Sequence, residues 1–440
     1  MRKPAAATAL VLGAALPATA LANAQPHHPQ GAALGFGDAT RFEQVQSSKQ
    51  NPAGRITATD RGVRLGILGL GVHYEIPAVD DFNDDTERLG DLFDELGDLE
   101  EEIDDQEDLE AEKEEIEQEL NDILDRIGED GYLSFGVTGH HLPFPLEVTA
   151  DAIRGSLTLD VDYSLRGHAQ ILHGADLEVS VEEENGSASL DENLDDFGLY
   201  ARSAQTRRAS IGYGTAVHAT SDGFLVAGGR LNHYEVELSR APEPFDGDAD
   251  SAIDDNFLEH TSRETDLALD MGVMWVADRY RAGATLRNLG SPSFDYPEPD
   301  LEAGAAEDLY EAAVERGEID PDESFTLDPQ PVIEGAVHTP DQRWLLGGAL
   351  ELGAVDGPFA TGAEDAYQWL TIGGAYNPPI TGLPSFRAGY RGNLAGTELQ
   401  YLTLGTTLFG ILSIDTALAL EITDDLPRSA MLNVGLETGF

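Results

Sequence analysis

The chain has 440 residues, 82 acidic side chains against 26 basic ones, a formal net charge of −56 and no cysteine. Without cysteine there is no disulfide framework, thiol redox centre or thiolate metal site, and so acidic a balance leaves no basic patch for nucleic acid. Hydrophobic residues make up 41%, but after the first two dozen residues no apolar run reaches the ~18–20 residues that a membrane-crossing helix needs.

Residues 1–24 read as a secretory signal peptide. Arg2 and Lys3 give a basic start, residues 5–22 are apolar and uncharged, and small residues stand at A-x-A spacing before Gln25. Cleavage would leave 24 bases against 82 acids, because segment 1–24 carries two bases and no acid. Self-repulsion on that scale is relieved when salt shortens the Debye length to a few ångströms, so the composition points to a high-salt environment.

Residues 25–60 are polar and irregular, and are expected to form a periplasmic or plug segment. Residues 61–440 are expected to form the main domain. Its first strand spans 62–77: Val63, Leu65 and Ile67 alternate, then the phase slips to Leu68, Leu70, Val72 and Tyr74, with Gly66, Gly69 and Gly71 around a place for a β-bulge.

Residues 84–128 change character. Leu89, Leu92, Leu96, Leu99 and Ile103, then Leu109, Ile116, Leu120, Ile123 and Ile127, follow a heptad-like seam with a slip near Gln106. The slip is either a stammer or the turn of an antiparallel helical hairpin. The segment is either solvated and packed on itself or an arm that docks a partner.

From residue 131 onward the period is two. Leu157, Leu159, Val161 and Tyr163 alternate with Ser156, Thr158, Asp160 and Asp162, and Leu267, Leu269, Met271 and Val273 alternate with Ala268, Asp270 and Gly272. Runs of ~9–12 residues suit tilted strands crossing a bilayer, with a wet face inside. Sixteen candidate strands can be counted, including separate ones at 132–140, 143–150, 155–165 and 170–182, with fourteen as the alternative. Long connections (183–206, 240–263, 290–329, 354–365, and the acidic helices) fall on one side and short turns on the other. The fold class is therefore all-β: a transmembrane antiparallel up-and-down barrel of about 14–16 strands with an acidic helical insertion, placed in the outer membrane. The last strand puts Leu432, Val434, Leu436 and Phe440 on one face, like the terminal signal that barrel-insertion machinery reads.

Enzymatic and metal chemistry find no support. His27-His28 and His140-His141 lack further ligands at zinc spacing, and Asp246, Asp248 and Asp250 fail as a calcium loop because Ser251 and Phe257 occupy its glycine and glutamate positions. No nucleophile elbow, Walker loop or dinucleotide fingerprint occurs in context. No cofactor or catalytic residue is assigned.

Two local patterns go further. Gln50-Asn51-Pro52-Ala53-Gly54 resembles the N-P-A segment near the mature N-terminus of FadL-type outer-membrane proteins. The stretch 279–289, carrying Gly283, Asn288 and Leu289, followed by Phe294-Asp295-Tyr296-Pro297, resembles the G-x-x-x-x-N-L strand of the barrel-type family labelled conjugal transfer protein TraF. The layout of signal peptide, early acidic helices and strand-rich remainder is similar too. The resemblance implies a FadL/porin-superfamily barrel nominally tied to plasmid transfer, with no ligand residues to carry over. Two functions follow as expectations: a passive channel for small or hydrophobic solutes partly plugged by 25–60, or a cell-surface contact protein working through 84–128. Outer-membrane lipid and the insertion machinery are the expected partners, with the acidic helical arm as the place for a further one.

Overall fold

The computed structural model describes residues 31–37, 40, 47–54, 62–78, 85, 88, 91, 92, 95, 114, 116–124, 131–172, 179–184, 187–192, 197–244, 261–299, 301, 305–359, 365–379, 382–423 and 426–439. Residues 1–24, where the signal peptide is expected, His27-His28, the aspartates at 246–250 and Phe440 lie outside them.

The strands are β1 (Gly62–Glu75), β2 (Tyr132–His141), β3 (Leu146–Ala150), β4 (Gly155–Leu172), β5 (Val179–Glu184), β6 (Ser187–Glu192), β7 (Gly198–Ala219) and β8 (Phe224–Pro244). They continue as β9 (Ser262–Val276), β10 (Tyr280–Leu289), β11 (Ser293–Asp295), β12 (Ser324–Thr326), β13 (Gln330–His338), β14 (Trp344–Glu351), β15 (Val355–Asp356) and β16 (Ala366–Tyr367). The last are β17 (Trp369–Tyr376), β18 (Ser385–Asn393), β19 (Gln400–Leu408), β20 (Leu412–Ala419), β21 (Ile422–Thr423), β22 (Leu426–Pro427) and β23 (Ser429–Gly439).

One antiparallel sheet runs β2-β1-β23-β20-β19-β18-β17-β14-β13-β10-β9-β8-β7-β4-β3, and the pairings β2–β4 and β1–β3 close it. The barrel has fourteen strand positions because β2 and β3 occupy one position between β1 and β4, end to end. The count of sixteen fails at two places that cancel in parity. Residues 143–145 interrupt one strand rather than turn the chain back, and β4 runs unbroken from 155 to 172, so residues 179–182 belong to the separate β5–β6 hairpin. An even number survives both corrections, and so does the placement of long connections on one side.

Alternation builds the two faces. Leu267, Met271, Leu346, Ile372, Leu402 and Leu404 are exposed outside, while Ser156, Asp160, Asp162, Arg166, Asp270, Arg387 and Asp415 are buried inside. The phase slip in β1 is a register shift between Gly66 and Leu68 in its pairing with β23, which keeps Val63 and Val72 both outward. Leu432 is outward and Asn433 inward on β23. Hairpin turns are short on one side, as at Phe409 and Gly410, both at positive φ.

The opposite rim carries the long connections and is more structured than their irregular sequence suggests. The 290–329 connection contains β11 and β12, paired with each other, and the helix Ala305–Arg316. That helix packs Leu309 and Ala313 with Leu172, Tyr200 and Ile319. In the acidic insertion, seam residues Leu92, Ile116, Leu120 and Ile123 are buried. Arg88 donates to Glu119 at 2.7 and 2.8 Å and to Glu95 at 3.0 Å, so positions 31 residues apart meet as in a hairpin.

Candidate functional site in the barrel lumen

The N-terminal segment lies against the inner wall. The 3-10 turn Gly31–Phe36 contacts β17, β18, β19, β20, β23 and β1. Phe36 packs on Ala336, Leu345 and Ala375, and Gly35 N donates to Asp415 Oδ1 at 3.0 Å. Asp415 is held by Arg387 at 2.8–2.9 Å, and both are fully buried. A Cβ at Gly373 would come within 2.1 Å of the Phe36 carbonyl oxygen, so the wall itself is cut back to admit this turn.

Residues 47–54 cross to the other side of the lumen. Asn51 closes the local turn by accepting from Ala53 N at 2.9 Å and donates to Glu334 at 2.6 Å. Pro52 and Ala53 rest on glycines of β7, β8 and β9; a Cβ at Gly272 would lie 2.1 Å from Asn51 Oδ1. Lys49 reaches Asp160 at 3.2 Å and also pairs with Asp162, which is held from β7 by Arg208. Arg208 and Asp162 are direct cross-strand partners, as are Arg230 and Asp270, so register alone sets opposite charges face to face.

The structure brings both motifs onto this wall. Asp270 accepts from Arg230 at 2.6 and 2.9 Å, from Asn232 at 2.8 Å and from the Asn288 backbone N–H at 2.9 Å. Arg230 in turn donates to the Lys49 carbonyl at 2.9 Å. Asn288, at φ 55°, sits where the β9–β10 register shifts before Leu289; asparagine is one of the few side chains that tolerate that conformation. Gly283 faces Met274 and leaves room for its thioether, and Met274 packs with Ala53 and Val226. Thus Asn51, Pro52, Ala53, Gly283 and Asn288 form one neighbourhood with Arg230, Asp270 and Met274, while Leu289 pairs with Leu269 on the other face of the strand. Arg230, Asp270 and Met274 are not marked by any motif, although the inward phase of Asp270 is readable in the sequence. Leu432, Val434 and Leu436 lie on β23, outside this site.

Beside Lys49 the wall is interrupted. Between the pairs Gly139↔Tyr163 and Leu146↔Leu159, β4 has no ladder partner on its β2–β3 side, because Pro143 and Pro145 have no N–H to give. The β1 side stays joined through Gly66 N to Pro145 O at 2.8 Å and Leu142 N to Ile67 O at 2.9 Å. The inner edge of the break is therefore lined by Asp160 and Asp162, with Lys49 across it.

At the long-connection end the lumen is capped. Asp365 receives Arg166 at 2.9 and 3.2 Å, the Phe359 N–H at 3.0 Å and the Tyr367 hydroxyl. Burial pushes its carboxyl up, but the Arg166 guanidinium and these hydrogen bonds override that and hold it well below the usual carboxylate range. Glu323, from the 290–329 connection, accepts from Arg202 at 2.7 Å; there burial wins and its carboxyl is raised. Phe359 is fully buried with Phe294, Tyr296, Phe325 and Leu327. Among the described residues no group of three or more His, Asp or Glu stands ready to hold a metal, and His140 lies buried behind Gly69.

Solved barrels of similar layout include a TodX deletion mutant described as a monoaromatic hydrocarbon channel (11% identity, 94% of this chain and 99% of that one, TM-score 0.47). Others are the toluene transporter TodX of Pseudomonas putida (12%, 94% and 99%, TM-score 0.42) and a FadL homologue of Pseudomonas aeruginosa (13%, 94% and 97%, TM-score 0.40). No curated protein matches the sequence. The family model described as "F plasmid transfer operon, TraF, protein" matches residues 49–350. That match runs from Lys49 and the N-P-A turn through the Asn288 strand and covers well over half of the chain, which therefore belongs to the TraF family of that description.

Proposed function

We propose that the protein is a passive, non-enzymatic outer-membrane channel for small or hydrophobic solutes, closed at rest by its own N-terminal segment. The observation that carries this reading is the seating of residues 31–37 and 47–54 on charged groups of the inner wall: Asp415 with Arg387, Asp270 with Arg230, and Lys49 on Asp160 and Asp162. The segment buries Leu34, Phe36 and Ala53, and its polar anchors are few: Gly35 N on Asp415, the Lys49 carbonyl on Arg230, and Lys49 itself on Asp160 and Asp162. The wall charges it meets are already paired with each other, so they stay balanced when it leaves. The break beside Lys49 supplies a sideways route from lumen to lipid, and solute passing it would have to displace Lys49.

In planar bilayers the intact protein should conduct weakly, and deletion of residues 25–54 should raise conductance in discrete steps. Two silent proteins would end this reading. The second reading, cell contact in plasmid transfer through 84–128, draws support from the family description alone. The burial of Leu92, Ile116 and Leu120 and the Arg88–Glu119 pair favour an arm packed on itself.

A further inference from the structure

The cap at the long-connection end is a site with a tethered occupant. Its walls are borne by strands. Arg166 and His168 stand two residues apart on the inner face of β4, Arg202 comes from β7, and all three are at least 97% buried. The occupant is a piece of the connection between β14 and β17. Within seven residues it presents a phenyl ring, Phe359, and a carboxylate, Asp365. The ring stacks on His168 at 5.3 Å and lies 5.0 Å from the Arg166 guanidinium carbon and 5.7 Å from that of Arg202. The carboxylate takes both terminal nitrogens of Arg166, in the fork geometry that arginine offers to carboxylates.

The two groups converge on one arginine: the guanidinium is bonded by the acid at its edge and covered by the ring on its face. His168 Nε2, in the ring that Phe359 stacks on, is buried and has no hydrogen-bond partner, so this wall carries a polar atom that the present occupant leaves unused. Nothing in the walls depends on peptide linkage between ring and acid.

We infer that the Arg166–His168–Arg202 wall is a binding site for a small aromatic carboxylate, and that the chain's own Phe359 and Asp365 occupy it in the closed state. An incoming aryl acid would replace both groups at once, with the ring against His168 and the carboxylate on Arg166. A plain hydrocarbon would leave Arg166 to Asp365, and a short aliphatic acid would leave the stack to Phe359. Binding therefore selects molecules carrying both features. This rests on the channel reading and deepens it by naming a solute class, but binding itself does not require that the barrel conduct.

The test uses the full-length protein in detergent, with 3-phenylpropionate as probe and benzyl alcohol and propionate as controls. Tryptophan emission is the readout, since Trp369 lies beside Tyr367, a hydrogen-bond partner of Asp365. The Phe359→Ala variant, whose ring position is vacated, should bind the probe saturably and about tenfold or more tighter than wild type, because only Asp365 is left to compete. Adding Arg166→Gln to that variant should abolish the response, and neither control should saturate. Phe359→Leu keeps apolar packing without the ring; it should bind the probe better than wild type and shows that a gain is not a consequence of a loosened fold. Equal affinity in wild type and both Phe359 variants, or equal response to benzyl alcohol, overturns the inference. Saturable binding by a protein silent in bilayers removes the channel reading alone; conduction without binding removes this one alone.

Discussion

Asp270 ties together more of the lumen than any residue named by motif. Its carboxylate holds Arg230 and Asn232 from β8 and the bulged Asn288 of β10, and through Arg230 it reaches the Lys49 carbonyl. Asp270→Ala leaves a buried guanidinium without its counter-ion, which costs about 3 to 5 kcal/mol; urea unfolding in detergent should show the loss as a lower midpoint. Asn51 and Asn288 stand out in the sequence because each meets a backbone need, a turn and a positive φ. Arg230 and Asp270 do not, since an inward polar residue on an alternating strand reads only as wet until the register shows what faces it. Asp365 offers a separate check at this scale. Its folded pKa is depressed, so its stabilisation is complete above the ordinary aspartate value of ~3.9 and fades as pH falls through the lower folded value. Hydrogen exchange of the segment around Asp365 should stay slow from pH ~7 to about 5 and accelerate only below about 4.

At the scale of elements, period and length were enough to place most strands, including the β1 bulge, because one face is lipid-facing and the other polar throughout. The two miscounts share a cause. Pro143 and Pro145 look like punctuation between strands, yet β1 on the other side carries the chain straight through with Gly66 and Leu142 hydrogen bonds. The polar run Arg166 to Gln170 looks like a turn, yet it belongs to a strand that stays paired with β7 along its whole length. The helix Ala305–Arg316 was legible as AAEDLYEAAVER with acids in its first turn and arginine in its last, but lay within a span read only as a connection. The acidic insertion differs from all of these in what holds it. Its acids repel along each helix, where like pairs at i,i+4 are unfavourable, while the barrel has a closed ladder. Exchange measured on the whole protein should therefore quicken in 84–128 as NaCl falls from about 1 M to about 0.1 M, a change in Debye length from ~3 to ~10 Å, with the strands unaffected. Exchange in 84–128 that ignores salt would mean the arm is held by burial against another surface.

For the molecule as a whole, the charge divides in an informative way. Among the described residues nine arginines and nine acids are buried, so the interior is balanced while the chain carries −56. The excess negative charge thus lies outside the buried part of the described residues, and the lumen carries cross-wall pairs such as Arg387–Asp415 and Arg230–Asp270 against which a segment can be seated and lifted. The absence of cysteine makes that seating directly testable. Ala53 and Val226, in one apolar cluster on the inner wall, can be replaced by a single cysteine pair. The account predicts that Ala53→Cys/Val226→Cys crosslinks under oxidation, that the oxidised barrel stays at its lowest conductance at every voltage, and that reductant restores wild-type openings. A pair that does not crosslink, or a conductance indifferent to its redox state, would contradict the claim that the N-terminal segment closes the lumen.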